Sequence, residues 1–150
     1  MRSALALTPL VGAIALAAGC GGGSSATPSE DPGTVMKALI RHELAGERDQ
    51  SYAMLVSEQR DVVSPQLYRS CSPGQVMDPA KVAVRILGVS DTTFTVPGRG
   101  KTDAKAVKYR IDLHDGNPIE DTGHLIAEDG HWRWTLSPQS FTAMKQGNCP

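Results

Sequence analysis

The spacing of the hydrophobic positions changes about halfway along the chain. In the first half these positions recur at three- and four-residue intervals, which predicts an amphipathic helix over residues 34–46; they are Val35, Met36, Leu39, Ile40 and Leu44. Thr34 or Asp31 can cap this helix and Gly46 can end it. A second helix is expected from residue 47 or 48 to about 59, with an apolar face of Tyr52, Ala53, Leu55 and Val56. Ser64-Pro65 predicts the start of a third, short helix through residues 66–70.

The second half has the two-residue alternation of β-strands. Residues 81–89 and 92–96 are rich in β-branched side chains, and a Gly- and Lys-containing turn is expected at residues 97–103. Residues 104–114 alternate strictly: Val107, Tyr109, Ile111 and Leu113 share one face, and Lys108, Arg110, Asp112 and His114 share the other. Strands 122–128 and 131–136 should form a hairpin around Asp129-Gly130. Helices followed by an antiparallel meander predict one α+β domain.

An uncharged, mostly aliphatic run occupies residues 4–18, after Arg2. It is shorter than the roughly 20 residues of a membrane-spanning helix and fits the apolar part of a signal peptide. Its end, Leu16-Ala17-Ala18-Gly19-Cys20, resembles the lipobox of bacterial lipoproteins. The resemblance implies cleavage before Cys20, diacylglycerol and palmitate-type acyl chains on that cysteine, and anchoring to the extracytoplasmic face of the cell membrane. An ordinary secretory signal with a chance cysteine, or an uncleaved anchor, is the alternative.

Residues 21–33 hold no large apolar side chain and are rich in Gly, Ser and Pro, which predicts a flexible stalk. The expected division is therefore a signal peptide (1–19), the lipidated Cys20 with a linker (20–33), and one folded domain (34–150).

Two further cysteines, Cys71 and Cys149, remain for the folded domain. Because export places the domain in an oxidising compartment, they are expected to form one structural disulfide. The alternative, a reactive thiol pair, lacks the CxxC spacing of redox motifs.

The balance of charged residues argues against one class of partner, nucleic acids. Without Arg2, 14 of the 15 basic residues remain against 16 acidic ones, and no Lys/Arg block occurs. The electrostatic footprint of a nucleic-acid-binding protein is missing, so no nucleic-acid partner is expected.

The layout resembles the NTF2-like superfamily, in the form found in small actinobacterial lipoproteins. The resembling parts are residues 35–46, the stretch from Glu47 to Leu55 ahead of Ser64-Pro65-Gln66-Leu67-Tyr68, and the closing strands with Gly130-His131-Trp132-Arg133-Trp134. The resemblance implies N-terminal helices packed on a curved antiparallel sheet, as a cone that encloses an apolar pocket. The pocket-lining candidates are Tyr52, Tyr109, Trp132 and Trp134. The superfamily includes enzymes, ligand binders and docking modules, so the fold does not decide function.

Candidate chemistry is sparse. Enzymes of the superfamily place an acid or a histidine inside the cone. The weak catalytic candidates here are Asp112 and His114, but both fall on the polar face of the strand and should point out of the cone. His42-Glu43 begins like a zinc-protease helix, but Gly46 stands where the second histidine belongs. His114, His124 and His131 match no metal-site spacing. No metal and no cofactor is expected.

These observations favour a non-enzymatic lipoprotein of the cell envelope that binds a small apolar ligand or docks on another envelope protein, with a homodimer also possible. The alternatives are an NTF2-like enzyme of the isomerase, cyclase or dehydratase type acting on a small apolar substrate, and a purely structural accessory subunit with a filled core. An ionisable residue inside the pocket would favour the enzyme, a purely apolar pocket would favour ligand binding, and a packed cone with an exposed apolar sheet face would favour docking or dimerisation.

Overall fold

The computed structural model of the chain describes residues 27–71, 76–78, 81–114 and 116–150. It has an α+β architecture built on a four-stranded antiparallel sheet, as the sequence predicts. The elements in chain order are α1 (Pro32–Ala45), α2 (Arg48–Ala53), α3 (Ser57–Arg60), α4 (Pro65–Ser70), β1 (Val82–Val96), β2 (Gly100–Leu113), β3 (Ile119–Glu128), β4 (His131–Trp134) and α5 (Pro138–Lys145). The strands pair in the order β1-β2-β3-β4.

The first helix, α1, begins and ends at the predicted signals. The Asp31 carboxylate accepts a hydrogen bond from the backbone N–H of Thr34, which satisfies one of the free donors of the first turn. Gly46 ends the helix with φ 73°, a left-handed conformation that costs glycine little. The apolar stripe of α1 is buried against the sheet, at Val35, Met36, Leu39 and Ile40.

The second predicted helix was wrong in extent, because it is two short helices separated by an extended segment. Leu55 forms a parallel bridge to Trp134. The backbone N–H of Trp134 donates to the Met54 carbonyl (2.9 Å), and that of Val56 donates to the Trp134 carbonyl (3.0 Å). Leu55 and Val56 are fully buried in this conformation. Pairing with β4 therefore replaces the helical hydrogen bonds between α2 and α3, while Ala53, assigned to the apolar face, is exposed.

The sheet is dominated by a long hairpin of β1 and β2. The two strands predicted at 81–89 and 92–96 are one strand, Val82–Val96, with a register shift between Ile86 and Gly88. Such a bulge reverses the facing of the side chains beyond it and bends the strand. The β3–β4 hairpin turns at Asp129 and Gly130, whose φ angles of 51° and 76° fit the tight turn that the sequence predicts.

A helix that the sequence analysis missed, α5, follows the last strand. Ser137 caps it by accepting from the N–H of Ser140, and Pro138 occupies its first turn. Phe141 and Met144 of α5 belong to a second buried cluster. Its other members are Leu55, Val63, Tyr68, Cys71 and Leu136. The predicted disulfide is present between Cys71 and Cys149, with a Cα–Cα distance of 4.8 Å, and ties the C-terminal segment to the end of α4.

The predicted signal peptide and Cys20 lie outside the described residues. Within the described part of the chain, no helix is long and apolar enough to cross a membrane. The described end of the predicted linker contacts the domain: Pro28 is buried, and the Trp132 indole N–H donates to the Glu30 carbonyl at 2.8 Å.

Candidate functional site

A cavity of about 530 Å³ lies between α1 and the sheet, in the size range of small-molecule sites. Its walls come from α1, the four strands, and the segment that leads from β4 into α5. The apolar side chains that line it are Met36, Leu39, Ile40, Leu44, Phe94, Ile111 and Trp134. Most of the wall therefore suits the apolar part of a ligand.

Gly123 allows α1 to lie close to the sheet at this point. A Cβ built at residue 123 would fall 2.4 Å from the Met36 methyl carbon and 2.9 Å from its sulfur. Because glycine has no side chain, Met36 can pack directly against the strand, and Gly123 thereby contributes to the shape of the cavity.

The cavity extends around one edge of the sheet. Successive side chains of a strand point to opposite faces, yet four consecutive residues of β3, 121–124, line the same cavity. β4 pairs only with residues 125–128, so no described strand covers the outer edge of β3 from Ile119 to His124. The cavity opens along this edge.

The first polar group of the wall is the Glu43 carboxylate, and both of its oxygens accept hydrogen bonds from neighbouring side chains. The Tyr68 hydroxyl donates to its Oε1 at 2.6 Å, and the Arg48 guanidinium donates to its Oε2. Burial, and then the hydrogen bond to Glu43, raises the pKa of Tyr68 above its usual value, so the phenol stays protonated and keeps donating. The charge of Glu43 is thereby compensated by Arg48.

A second polar group pairs across β2 and β3. Tyr109 and Asp121 are opposite in the register, so their side chains share a face, and the Tyr109 hydroxyl donates to Asp121 Oδ2 at 3.3 Å. Burial first, and then the Asp121 charge, raises the pKa of Tyr109 to about 12. The backbone N–H of Thr122 donates to Asp121 Oδ1 at 2.7 Å. Among the described residues Asp121 forms no ion pair, and its side chain is exposed at the mouth of the cavity.

The third polar group, His124, stacks on Phe94 with ring centroids 4.1 Å apart and an angle of 21° between the planes. Burial lowers the pKa of His124, and the charge of Asp121 opposes that shift only in part. The imidazole is therefore neutral at pH 7 and offers one donor and one acceptor to the cavity.

The arrangement suits binding of a mostly apolar molecule with a few polar contacts at one end. Within the described residues, no group of three or more His, Cys, Asp and Glu side chains is placed to hold a metal ion. His114, His124 and His131 are not brought together: His124 lines the cavity, His131 lies near Glu30, and His114 lies beside Lys81 at the end of β2.

Two of the four predicted pocket-lining residues, Tyr109 and Trp134, line the cavity, and two do not. Tyr52 donates its hydroxyl to the carbonyls of Val63 (2.8 Å) and Arg60 (3.0 Å), so it fastens the loop before α4. Trp132 lies nearer the start of α1, where its indole binds Glu30.

Asp112 and His114 lie outside the cavity. The Asp112 carboxylate pairs with Arg85 at 3.0 Å and with Arg110 at 2.6 Å. Because β2 keeps an unbroken register with β1 from Tyr109 to Leu113, the side chains alternate along this stretch and Asp112 stays on the face opposite Tyr109.

Glu43 and Asp121 were missed as cavity residues by the sequence analysis, which considered His124 only as a metal ligand. Asp121 fell outside the predicted strand, which began at residue 122, whereas β3 begins at Ile119. Its pairing with Tyr109 depends on the register of β2 and β3, which no local pattern reveals. No protein-family model matches the chain, and no curated protein or solved structure matches it significantly.

Proposed function

We propose that this protein is a lipoprotein of the cell envelope, anchored through Cys20, whose NTF2-like domain binds a small, mostly apolar molecule. The observation that carries the binding function is the 530 Å³ cavity with apolar walls between α1 and the sheet. The lipobox-like end of the leader supports the anchoring, and the helix-then-meander order supports the NTF2-like cone.

Ligand binding is better supported than docking through the outer sheet face. The exposed apolar residue there, Leu87, lies at the β1 bulge beside a surface of ion pairs. These pairs join Arg85 to Asp112, Arg110 to Asp112 and Glu120, and Lys108 to Glu120. An apolar patch interrupted by charges is a weaker interaction surface than a continuous one.

The binding function is tested by native mass spectrometry of the full-length chain extracted gently from its own membrane. A bound small molecule of defined mass is expected. Ile111→Phe adds volume on the cavity wall and should abolish the bound mass, whereas Leu87→Phe, the same kind of enlargement at an exposed position, should retain it. An unliganded wild-type chain, or a ligand that survives Ile111→Phe, would contradict the proposal.

The anchoring is tested separately. Cys20→Ala should release the protein from the membrane fraction, because the thioether link to lipid needs the thiol. A Cys20→Ala protein that still carries lipid would exclude this anchor.

The ionisable side chains of Tyr109, Asp121 and His124 on the cavity wall favour a catalytic function, which we place second because most of the wall is apolar. A phenol that stays protonated suits polarisation of a carbonyl group, and a neutral imidazole or a carboxylate suits proton abstraction beside that carbonyl. An isomerase, cyclase or dehydratase would use such a set.

This candidate predicts hydrogen exchange in the bound molecule. The co-purified ligand, returned to the protein in D₂O, should gain deuterium at a carbon position, and His124→Gln and Asp121→Asn should slow that exchange. Asp112→Asn, which removes a carboxylate outside the cavity, is the matched control. A ligand that remains unlabelled would leave binding as the function.

A further inference from the structure

The charges around the cavity have one sign. Two carboxylates line it, Glu43 and Asp121, and among the described residues no lysine or arginine does. Its single histidine is neutral at pH 7, as argued above. A site for a fatty acid or another anion would need a cation or a cluster of free donors, which this wall does not offer.

The two carboxylates differ in how much of their charge and hydrogen-bonding capacity is left for a ligand. Arg48 and Tyr68 occupy both oxygens of Glu43, and Arg48 cancels its charge. Asp121 accepts only from the Tyr109 hydroxyl and the Thr122 N–H, which are neutral donors, and it forms no ion pair with any described residue. The cavity mouth therefore carries one uncompensated negative charge.

We infer that the ligand is an apolar molecule that carries a cationic amine, with the amine at Asp121 and the apolar body against α1. The inference rests on the proposed binding function and names the chemical class of its ligand.

The geometry suits such a ligand energetically. A cation buried without a partner loses its hydration at a large cost, whereas one paired with a carboxylate at an exposed mouth keeps part of its water. The exposed Asp121 provides that place, while Met36, Leu39 and Trp134 provide apolar contact for the body. Tyr109 fixes the carboxylate by donating to it, so the pair is oriented before the ligand arrives.

The test uses three probes with the same apolar body: octylamine, 1-octanol and octanoate. Binding at pH 7 is followed by the fluorescence of the full chain carrying Trp132→Phe, so that the signal comes from Trp134, which lines the cavity. Octylamine should bind at least about tenfold more tightly than 1-octanol, the usual order for a hydrogen bond between charged groups, and octanoate should bind most weakly.

The charge is then removed at one position. Asp121→Asn should bring octylamine down to the affinity of 1-octanol and leave 1-octanol unchanged. Glu120→Gln is the matched control, because it also removes one carboxylate charge from β3. The Glu120 side chain lies on the other face of the sheet, where it pairs with Lys108 and Arg110. It should keep the preference for the amine.

The outcomes separate the two proposals. Equal binding of octylamine and 1-octanol would overturn the cationic ligand and leave the cavity as a site for neutral apolar molecules. Tighter binding of octanoate would overturn it in favour of an anionic ligand, and an amine preference that survives Asp121→Asn would overturn the role given to Asp121. Failure of all three probes to bind would overturn the binding function itself.

Discussion

At the residue scale, the polar groups of the cavity owe their properties to burial and to neighbours distant in sequence. His124 stacks on Phe94 at the cavity wall, and partial burial disfavours its charged form. Tyr68 is a buried phenol and Tyr109 a half-buried one, and both hydroxyls donate to carboxylates. In each case the environment holds the group neutral, so the fixed charge facing a ligand is that of Asp121.

The shifted pKa of His124 predicts a pH dependence of stability. The unfolded chain has an ordinary histidine pKa of about 6.5, and the folded chain has a lower one, so protons bind preferentially to the unfolded state as the pH falls. The contribution of His124 to the free energy of unfolding should therefore be neutral above about pH 7 and increasingly unfavourable below about pH 6.5.

Urea unfolding between about pH 7.5 and 5 measures this effect. His124→Gln should reduce the loss of stability on acidification, and His131→Gln, which removes an imidazole outside the cavity, should leave the wild-type slope. A His124→Gln slope equal to that of the wild type would show that His124 titrates normally in the folded protein.

The contact between Gly123 and Met36 gives a second prediction at this scale. Gly123→Ala forces the end of the Met36 side chain to move, because the new Cβ would lie 2.4 Å from its methyl carbon. Because the end of Met36 is flexible and lines the cavity, its methyl group can turn into the cavity, so the cost should be at the lower end of overpacking, about 1 kcal/mol, and the lost space should weaken binding. Gly88→Ala is the control: a Cβ there meets no described atom within 4 Å, and the change should be neutral or stabilise by about 0.4–1 kcal/mol. Urea midpoints that fall equally in both variants would contradict this account.

At the scale of elements, local signals in the sequence predicted those elements whose stability is local. Asp31 with Gly46, and Ser64 with Pro65, mark helix ends because their hydrogen bonds and dihedral angles involve near neighbours. The break at residues 54–56 could not be found this way. Its cause is pairing with Trp134, about 80 residues away, and an apolar pair such as Leu55-Val56 fits a helix and a strand equally.

Several elements differ from those that the sequence predicted. Residues 90 and 91, between the two predicted strands, continue the pairing of β1 with Ala106 and Lys105, so the two predictions merge into one strand, and the bulge at Ile86/Gly88 lies within the first of them. The Ser137-Pro138 pair carries the same signal as Ser64-Pro65 and could have predicted α5. The alternation of β2 predicted the face of Tyr109 and of Asp112, but the partner of Tyr109 required the register of the next strand.

Gln59 joins two elements in the interior and supports a third prediction. Its side chain is fully buried, donates to Thr135 Oγ1 at 2.8 Å and accepts from the backbone N–H of Leu136 at 2.8 Å. Gln59→Leu keeps the volume but leaves the Leu136 N–H without its acceptor, which should lower the free energy of unfolding by about 1–3 kcal/mol. Gln50→Leu, on the exposed side of α2, should change it by less than about 0.5 kcal/mol. Equal effects of the two substitutions on the urea midpoint would show that the Gln59 hydrogen bonds contribute nothing.

At the scale of the whole molecule, the disulfide couples the C-terminal segment to the cavity. Cys71 ends α4, three residues after Tyr68, and the Tyr68 hydroxyl holds the Glu43 carboxylate on the cavity wall. The bond spans 78 residues and encloses the whole sheet and α5. It therefore restrains the segment that positions Glu43 as well as the chain end, and its loss should affect both stability and binding.

The double variant Cys71→Ala/Cys149→Ala tests this coupling. A loop of this length contributes about 4–5 kcal/mol on the chain-entropy model, and measured losses are commonly about 2–5 kcal/mol, so the urea midpoint should fall by a corresponding amount. Reduction of the wild-type protein should produce a similar fall, and the same reductant should leave the double variant unchanged. Where the variant remains folded, Trp134 fluorescence should report weaker binding of 1-octanol, because α4 no longer fixes Tyr68 behind Glu43. A reduced wild type that unfolds at the oxidised midpoint would mean that the packing of α4 and α5 alone holds the C-terminal segment, since Phe141 and Met144 already bury it against Tyr68 and Leu136.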